Sequence, residues 1–400
     1  MKILMLGWEL PPFNTGGLGV ACFQLCKALA VRGVEIDFVV PYNDVHPEVD
    51  FMRVVPALHY SHAELAAMGG AYDSHLAVNA DDGLRAQQAQ YEQAVGQLVQ
   101  GGGYDAVHAH DWLTLEAGVA ARQQIDRPLV AHVHATEFDR AGQAAGNPIV
   151  HDIEYNTLCM ADRIVAVSQA TKHLLVQRYD IPAGKIDVVH NSIDAESLVP
   201  LDDENTYSYL VQMKQHGYKV VASLGRLTLQ KGLTHLLRAA RQVIDRNPKV
   251  LFLLAGIGDQ YHELVTLTAE LGISQNVLFT GQFVSGKAWR DVYAIGDMFV
   301  LPSVSEPFGI TPLEAMGYGV PTLISRQSGV GEVVHNVLRF DFWDTGLLAN
   351  QILALANYPA LGQELQRNAY AEFGKMSWQS VAQKCHEVYA RTLQPEGAGL

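Results

Sequence analysis

The chain has 400 residues, 48% of them hydrophobic, and a formal net charge of −14. That length suffices for two domains of about 200 residues, each with its own core, while the acidic balance excludes the basic footprint that nucleic acid requires and gives no help toward anionic lipid. No segment approaches the ~20 apolar residues of a membrane span, and Cys22, Cys26, Cys159 and Cys385 form neither a Cys-x-x-Cys pair nor a disulfide framework, so a reducing, cytoplasmic setting is expected.

The amino terminus MKILMLGW reads as an opening strand, Lys2 to Leu6, too short and wrongly flanked for a signal peptide. It runs into WELPPFNTGGLGV and a helix from about Leu18 to Arg32. A dinucleotide-binding turn is the rival reading of this glycine-rich loop. The loop is long, the G-x-G-x-x-G spacing is absent, and Asp37 falls inside the next strand, Val34 to Pro41, rather than at its end. Gly16 and Gly17 suggest instead a loop shaped to approach a ligand closely.

Residues 42–81 show no regular pattern. An amphipathic helix near Asp82 to Gln100 follows, then strand Asp105 to Ala109, helix Trp112 to Gln124, strand Leu129 to Val133, helix Ile149 to Ala161, strand Arg163 to Val167, helix Gln169 to Arg178 and strand Lys185 to Val189. Alternating strands and helices predict a doubly wound, parallel α/β sheet. Three strand ends carry polar residues: His108, His110 and Asp111 in VHAHDW, His132, His134, Glu137 and Asp139 in AHVHATEFDR, and His190, Asn191 and Asp194 in VVHNSID. Carboxyl ends of parallel strands gather functional groups. His-x-His also suits a metal, which makes a metal-dependent hydrolase a competing class, although alternating histidines at a strand end serve equally as polar packing.

Ala195 to Tyr218 is acidic and unpatterned, as a hinge would be. Beyond it lie strand Val220 to Leu224, the loop GRLTLQKG with Arg226 and Lys231, a helix ending near Asn247, strand Val250 to Ala255, helix Tyr261 to Leu271 and strand Val277 to Thr280. The two cations either face an anion or are simply solvated. Helices near Gly346 to Leu355 and Ala360 to Gly374 precede a final amphipathic helix, MSWQSVAQKCHEVYARTL, and a tail, QPEGAGL, that should fray.

Between the apolar runs Met298 to Leu301 and Thr322 to Ser325 lies SVSEPFGITPLEAMGYGVP, a loop entering a short helix at about Ile310 with Pro312 in its first turn. Unpaired amides at a strand's carboxyl end suit a phosphate. Glu306 and Glu314 flank that helix start and can accept hydrogen bonds from sugar hydroxyls, which amide donors cannot. Thr311-x-x-Glu314 also fits a capping box, in which Glu314 closes its own helix. Glu306, beside Pro307, has no helix to cap.

The Glu-x7-Glu arrangement in SEPFGITPLEAM resembles the donor-site signature of the retaining GT-B glycosyltransferases of family 4, and also the bacterial glycogen and starch synthases. GRLTLQKG resembles the diphosphate-binding loop of that family, and VHAHDW, AHVH and VVHNSID resemble its amino-domain motifs. Where glycogen synthases carry Lys-x-Gly-Gly-Leu, this chain has Asn14 in place of the lysine. The resemblance implies two Rossmann-like domains with the active site in the cleft between them: an acceptor-side domain at 1–195, a linker at 196–217, a donor domain at 218–375, and from 376 to 400 a helix crossing back to the first domain and the tail. It implies transfer of a sugar, expected to be glucose, from a UDP- or ADP-sugar to an acceptor hydroxyl, an α-glucan being one candidate, with no metal and no cofactor. Arg226 and Lys231 would stabilise the leaving diphosphate, Glu306 the sugar hydroxyls, His134 and Asp111 the opposite side of the sugar, and Glu314 the ribose. Gly16, Gly17, Gly281, Phe283, Phe308, Gly309, Ile310 and Thr311 complete the expected donor site. A nucleotide-sugar epimerase of the same fold is the other rival, distinguished by needing no acceptor.

Overall fold

Apolar runs such as KILML and VLFLLA have no face that tolerates water, and a parallel sheet covered by helices on both sides is the structure that buries them fully. The computed structural model describes residues 1–14, 16–68 and 83–394. In it the chain divides into two compact units, Met1–Asn191 together with the chain from Trp378 onward, and Ser192–Ser377.

The first unit is built on seven strands, β1 (Lys2–Leu6), β2 (Glu35–Val40), β3 (Arg53–Pro56), β4 (Ala106–His110), β5 (Leu129–Val133), β6 (Arg163–Ala166) and β7 (Ile186–Val188), in the order β3-β2-β1-β4-β5-β6-β7. The second has six, β8 (Lys219–Leu224), β9 (Val250–Ala255), β10 (Val277–Phe279), β11 (Met298–Leu301), β12 (Thr322–Ser325) and β13 (Leu338–Phe340), in the order β10-β9-β8-β11-β12-β13. The paired strands run parallel, and β1, β8, β9 and β11 are almost wholly buried. Strand order reverses between β1 and β4 in one sheet and between β8 and β11 in the other. The loops leaving the carboxyl ends at such a reversal diverge to opposite faces and leave a crevice, so the topology alone selects the loops after β1, β4, β8 and β11 as candidates for binding.

Elements that the sequence pattern did not reveal are held by polar contacts across long stretches of chain. The passage from residue 42 contains β3 and a helix, His62–Ala67. Edge strand β3 is clamped by Arg53, which donates to both oxygens of Asp37 at 2.8 and 2.6 Å, while Tyr104 donates to the same carboxylate at 2.6 Å. Burial alone would raise the Asp37 carboxyl, but those hydrogen bonds hold it below its ordinary value. Asp37 is thus a structural anion. The expected linker at 196–217 is not a free hinge but part of the second unit, with a helix at Ser208–Gln215. The unread helix Gly286–Ile295 anchors it: Thr206 donates twice to Asp291, and Arg290 reaches the Pro200 carbonyl and Asp202. The expected helix start at Asp82 and residues 395–400 of the tail lie outside the described residues.

The last helix, Trp378–Thr392, packs on Gly17–Val31 with Cys385, Val388 and Tyr389 buried against it. Cys22, Cys26 and Cys385 are buried free thiols, and Cys159 is exposed and free.

Gly256 sits at φ +134°, and a Cβ there would stand 2.0 Å from the Gly225 carbonyl oxygen, whereas a Cβ on Gly286, at φ +55°, would meet nothing within 4 Å. Gly256→Ala should therefore destabilise the second unit by about 2 kcal/mol or more and Gly286→Ala by about 1 kcal/mol, read from urea midpoints. Equal losses in the two variants would mean that the close approach of the loops after β8 and β9 carries no weight.

Candidate active site

The loop after β8 is fastened to its neighbours by backbone bonds: Leu227 N donates to Ile257 O at 3.0 Å, Gln260 N to Leu227 O at 2.9 Å, and Val304 N to Gln230 O at 2.9 Å. It closes in a 3-10 turn, Leu229–Lys231, before the helix Leu233–Arg246. Gly232, at φ +63°, lies so close to the loop after β11 that a Cβ would fall 2.2 Å from Pro302 O. That contact aims Lys231 at Glu306, with Nζ 2.6 Å from Oε2, and Ser303 Oγ donates to the same oxygen at 2.8 Å. Glu306 is 8% exposed. Its own backbone is pinned by bonds to Gln327 O and from Gly329 N, leaving Oε1 without a bonded partner among the described residues. Arg226, half-buried on the same loop, lines a small recess with Lys231, Leu301 and Pro302. Gly309, at φ +94°, adjoins the Glu306 side chain.

The capping box does not form. The helix is Thr311–Gly317 with Ile310 at its N-cap, and no side chain caps it. Glu314 instead accepts a hydrogen bond from Tyr293 Oη at 2.5 Å, and Tyr293, fully buried, stacks on Tyr318 at 5.5 Å between centroids. Burial pushes the Glu314 carboxyl up to about 7, with the Tyr293 hydroxyl opposing the rise. Tyr293 belongs to the helix Gly286–Ile295, so no motif around Glu314 could have revealed its partner.

The other expected donor residues are placed less directly. Phe308 is 3% exposed, while Ile310 and Thr311 are half-buried. Gly281, at φ +64°, and Phe283, 56% exposed, lie on the loop after β10, two strands from β8, with no hydrogen bond to Lys231 or Glu306 among the described residues. In the first unit Gly16 is the N-cap and Gly17 the first residue of the helix Gly17–Val31, and Asn14 donates to Gly16 O at 3.0 Å. Asn14 thus braces its own loop.

Strands β4 and β5 pair with His110 opposite His132, and the two-residue repeat of a strand places His108, His110, His132 and His134 on one face. Their rings stack in two pairs, 108 on 110 at 4.5 Å and 132 on 134 at 4.1 Å. His108 Nδ1 meets Tyr389 Oη at 2.5 Å and its Nε2 meets His132 Nδ1 at 3.2 Å. His110 Nδ1 meets His134 Nε2 at 3.0 Å, and its Nε2 meets Met5 Sδ at 3.0 Å. Burial lowers all four imidazoles, His108 and His134 to about 3. Two triads, Cys22–His110–His134 and His108–His110–His132, have ligand atoms within 4.8 Å of one another, a spacing that a metal could use, and most of the histidine nitrogens there are engaged in the hydrogen bonds just described.

Asp111, at φ +56°, turns its carboxylate back to accept from His134 N at 2.6 Å and Ala135 N at 3.3 Å. Burial raises it to about 7, against the lowering effect of Arg140. It therefore positions the His134 loop rather than standing open. Arg140, missed in the sequence, supports the same loop by donating to Ala135 O, Glu137 and Glu154 at 3.1, 3.0 and 2.6 Å.

Residues 15–197 match the family described as Glycosyltransferase Family 4, and residues 211–371 that described as Glycosyl transferases group 1. Similar proteins include an uncharacterised glycosyltransferase of Methanocaldococcus jannaschii, 29% identical over 99% of this chain and 100% of its own, and a glycogen synthase of Mycobacterium tuberculosis, 28% identical over 99% and 96%. Among solved structures, Anabaena HepE in complex with UDP and glucose superposes with a TM-score of 0.72 at 20% identity, covering 98% of this chain and 99% of the other. With family domains matched in both halves and two parallel sheets of the kind these folds share, the chain belongs to the GT-B glycosyltransferases, family 4 in its amino-terminal half and group 1 in its carboxyl-terminal half.

Proposed function

We propose that the protein transfers glucose from a UDP- or ADP-sugar to an acceptor hydroxyl, with retention at the anomeric carbon and without a metal or cofactor. The observation that carries this reading is the carboxylate of Glu306, bound on one oxygen by Lys231 and Ser303 and open on the other. A carboxylate held in that way is an oriented acceptor for sugar hydroxyls, and the lysine beside it is a fixed cation for phosphate. The glycogen synthase among the relatives supports a glucan acceptor, and the UDP and glucose held by HepE support the donor class.

Breaking the bond to the anomeric carbon develops positive charge on the sugar ring and negative charge on the departing diphosphate. Arg226 and Lys231 stabilise that diphosphate, where the electrostatic demand is greatest. Glu306 Oε1 takes donor sugar hydroxyls, His134 takes a hydroxyl on the other side of the sugar, and Asp111 holds the His134 loop. Glu314 accepts from the ribose. No covalent nucleophile is assigned, and a cytoplasmic site supplies the nucleotide sugar. The histidine triads favour a metal-dependent hydrolase as the second reading.

Arg226→Ala and Lys231→Ala should each lower the transfer rate by about two orders of magnitude, the scale of a lost oxyanion donor, and Glu306→Gln should reduce kcat. Wild-type turnover in any of the three would remove that residue from the mechanism. Chelator should leave transfer intact. Loss of activity with EDTA, recovered on adding a divalent ion, would make the transfer metal-dependent and overturn that part of the reading.

Glu314 gives a pH signature. Its folded pKa, about 7, is raised above the unfolded 4.5, so the folded protein holds the proton more tightly. The stabilisation is fully present below pH 4.5 and is lost as pH rises through about 7. Asp111 has the same sign and stays as background. Glu314→Gln should therefore show a shallower fall in stability across that window than the wild type, measured by urea titration at a series of pH values. Identical slopes would mean that the Glu314 carboxyl is not desolvated.

A further inference from the structure

A thioether sulfur has lone pairs and no proton to give. Met5 Sδ, on β1, lies 3.0 Å from His110 Nε2. Two bare lone pairs at that distance would repel, so Nε2 is the protonated nitrogen of His110. His110 is fully buried and neither of its ring nitrogens meets a carboxylate, so the ring is neutral. It has a single N–H, and its Nδ1 is bare. That Nδ1 lies 3.0 Å from His134 Nε2, which must therefore be the donor of the bond between the two rings. His134 has no carboxylate bonded to its ring among the described residues, so nothing holds a second proton there. No described residue is bonded to its Nδ1, and the ring is part-buried rather than sealed in the core.

We propose that Met5 and His110 are positioning residues that fix His134 as the Nε2–H tautomer, so that its Nδ1 is presented as a hydrogen-bond acceptor to a hydroxyl of the bound sugar. The sugar-binding half of this statement rests on the function proposed above; the tautomer does not. The neighbouring column, Tyr389–His108–His132, touches His110 and His134 by ring stacking, so it supports their orientation without supplying a proton. An acceptor held in this way discriminates by chemistry: a sugar hydroxyl donates to it, and a deoxy or fluoro substituent at the same carbon does not, leaving the nitrogen unpaired.

The test is side-chain nitrogen NMR on the full chain labelled with 15N-histidine, without substrate, assigned through a His134→Gln control. In the wild type His134 Nδ1 should give a pyridine-type signal and Nε2 a pyrrole-type signal. Met5→Leu keeps the volume but removes the acceptor, freeing His110 to exchange its proton, and should turn the His134 signals into a mixture. His110→Leu should do the same, whereas His110→Asn, whose Oδ1 replaces Nδ1 as an acceptor, should restore the single tautomer. In the transfer assay Met5→Leu should lower kcat/KM for the donor about tenfold with unchanged thermal stability, the size of one hydrogen bond, and His110→Asn should recover most of it. A pyrrole-type proton on His134 Nδ1 in the wild type, His134 signals unmoved in both leucine variants, or nitrogens shifted by a stoichiometric zinc ion would each overturn the proposal. Correct tautomers in a protein that binds no nucleotide sugar would uphold the role of Met5 and His110 in setting His134 and would sink the donor reading instead.

Discussion

The second unit depends on a steric constraint at Gly232. Only a residue without a side chain fits 2.2 Å from where the Pro302 carbonyl stands, and only a glycine accepts its left-handed backbone at no cost. Because the loops after β8 and β11 are in contact there, Lys231 reaches Glu306 without having to be ordered by a ligand. An ion pair of this kind is costly to desolvate, and a stability argument alone would not favour it. Its effect is to hold a cation and an oriented carboxylate side by side at the strand-order reversal, where the topology leaves a crevice.

The first unit solves a similar problem without charge. Four neutral imidazoles fill one face of β4 and β5, each joined to a neighbour, so that a polar strip crosses the core with most of its nitrogens bonded. Asp111, held by backbone amides, sets the turn that carries His134 out of the strip. Arg140, between two buried carboxylates, stiffens the same turn from behind.

The fold was largely legible in the sequence because parallel strands are apolar runs, and apolar runs such as Val250–Ala255 and Met298–Leu301 stand out whatever surrounds them. What stayed hidden was held by specific polar pairs distant in sequence. Strand β3 depends on Arg53 finding Asp37, and the passage after Ser192 on Arg290 and Asp291 nearly ninety residues on. Of the candidate site, the residues Glu306, Arg226 and Lys231 stood out because they sit in motifs, and the structure joins Lys231 to Glu306. Glu314 was half legible: its motif was visible, but Thr311-x-x-Glu314 suggested a cap, and nothing local could show that Tyr293 claims the carboxylate. The histidines were seen as a strand-end cluster, while Met5, whose sulfur orders their protons, looked like one more apolar residue of β1.

The first unit is not continuous in the chain. Its amino-terminal 191 residues and the helix Trp378–Thr392 are separated by the whole of the second unit, and Tyr389 on that helix closes over His108. A ribosome delivers that helix only after the whole of the second unit. Until then the helix Gly17–Val31 lacks its partner, and of the two units the one begun first is closed second. During synthesis the second unit has its entire sequence before the first does and can fold on its own schedule, while the first waits with the face that takes Trp378–Thr392 uncovered.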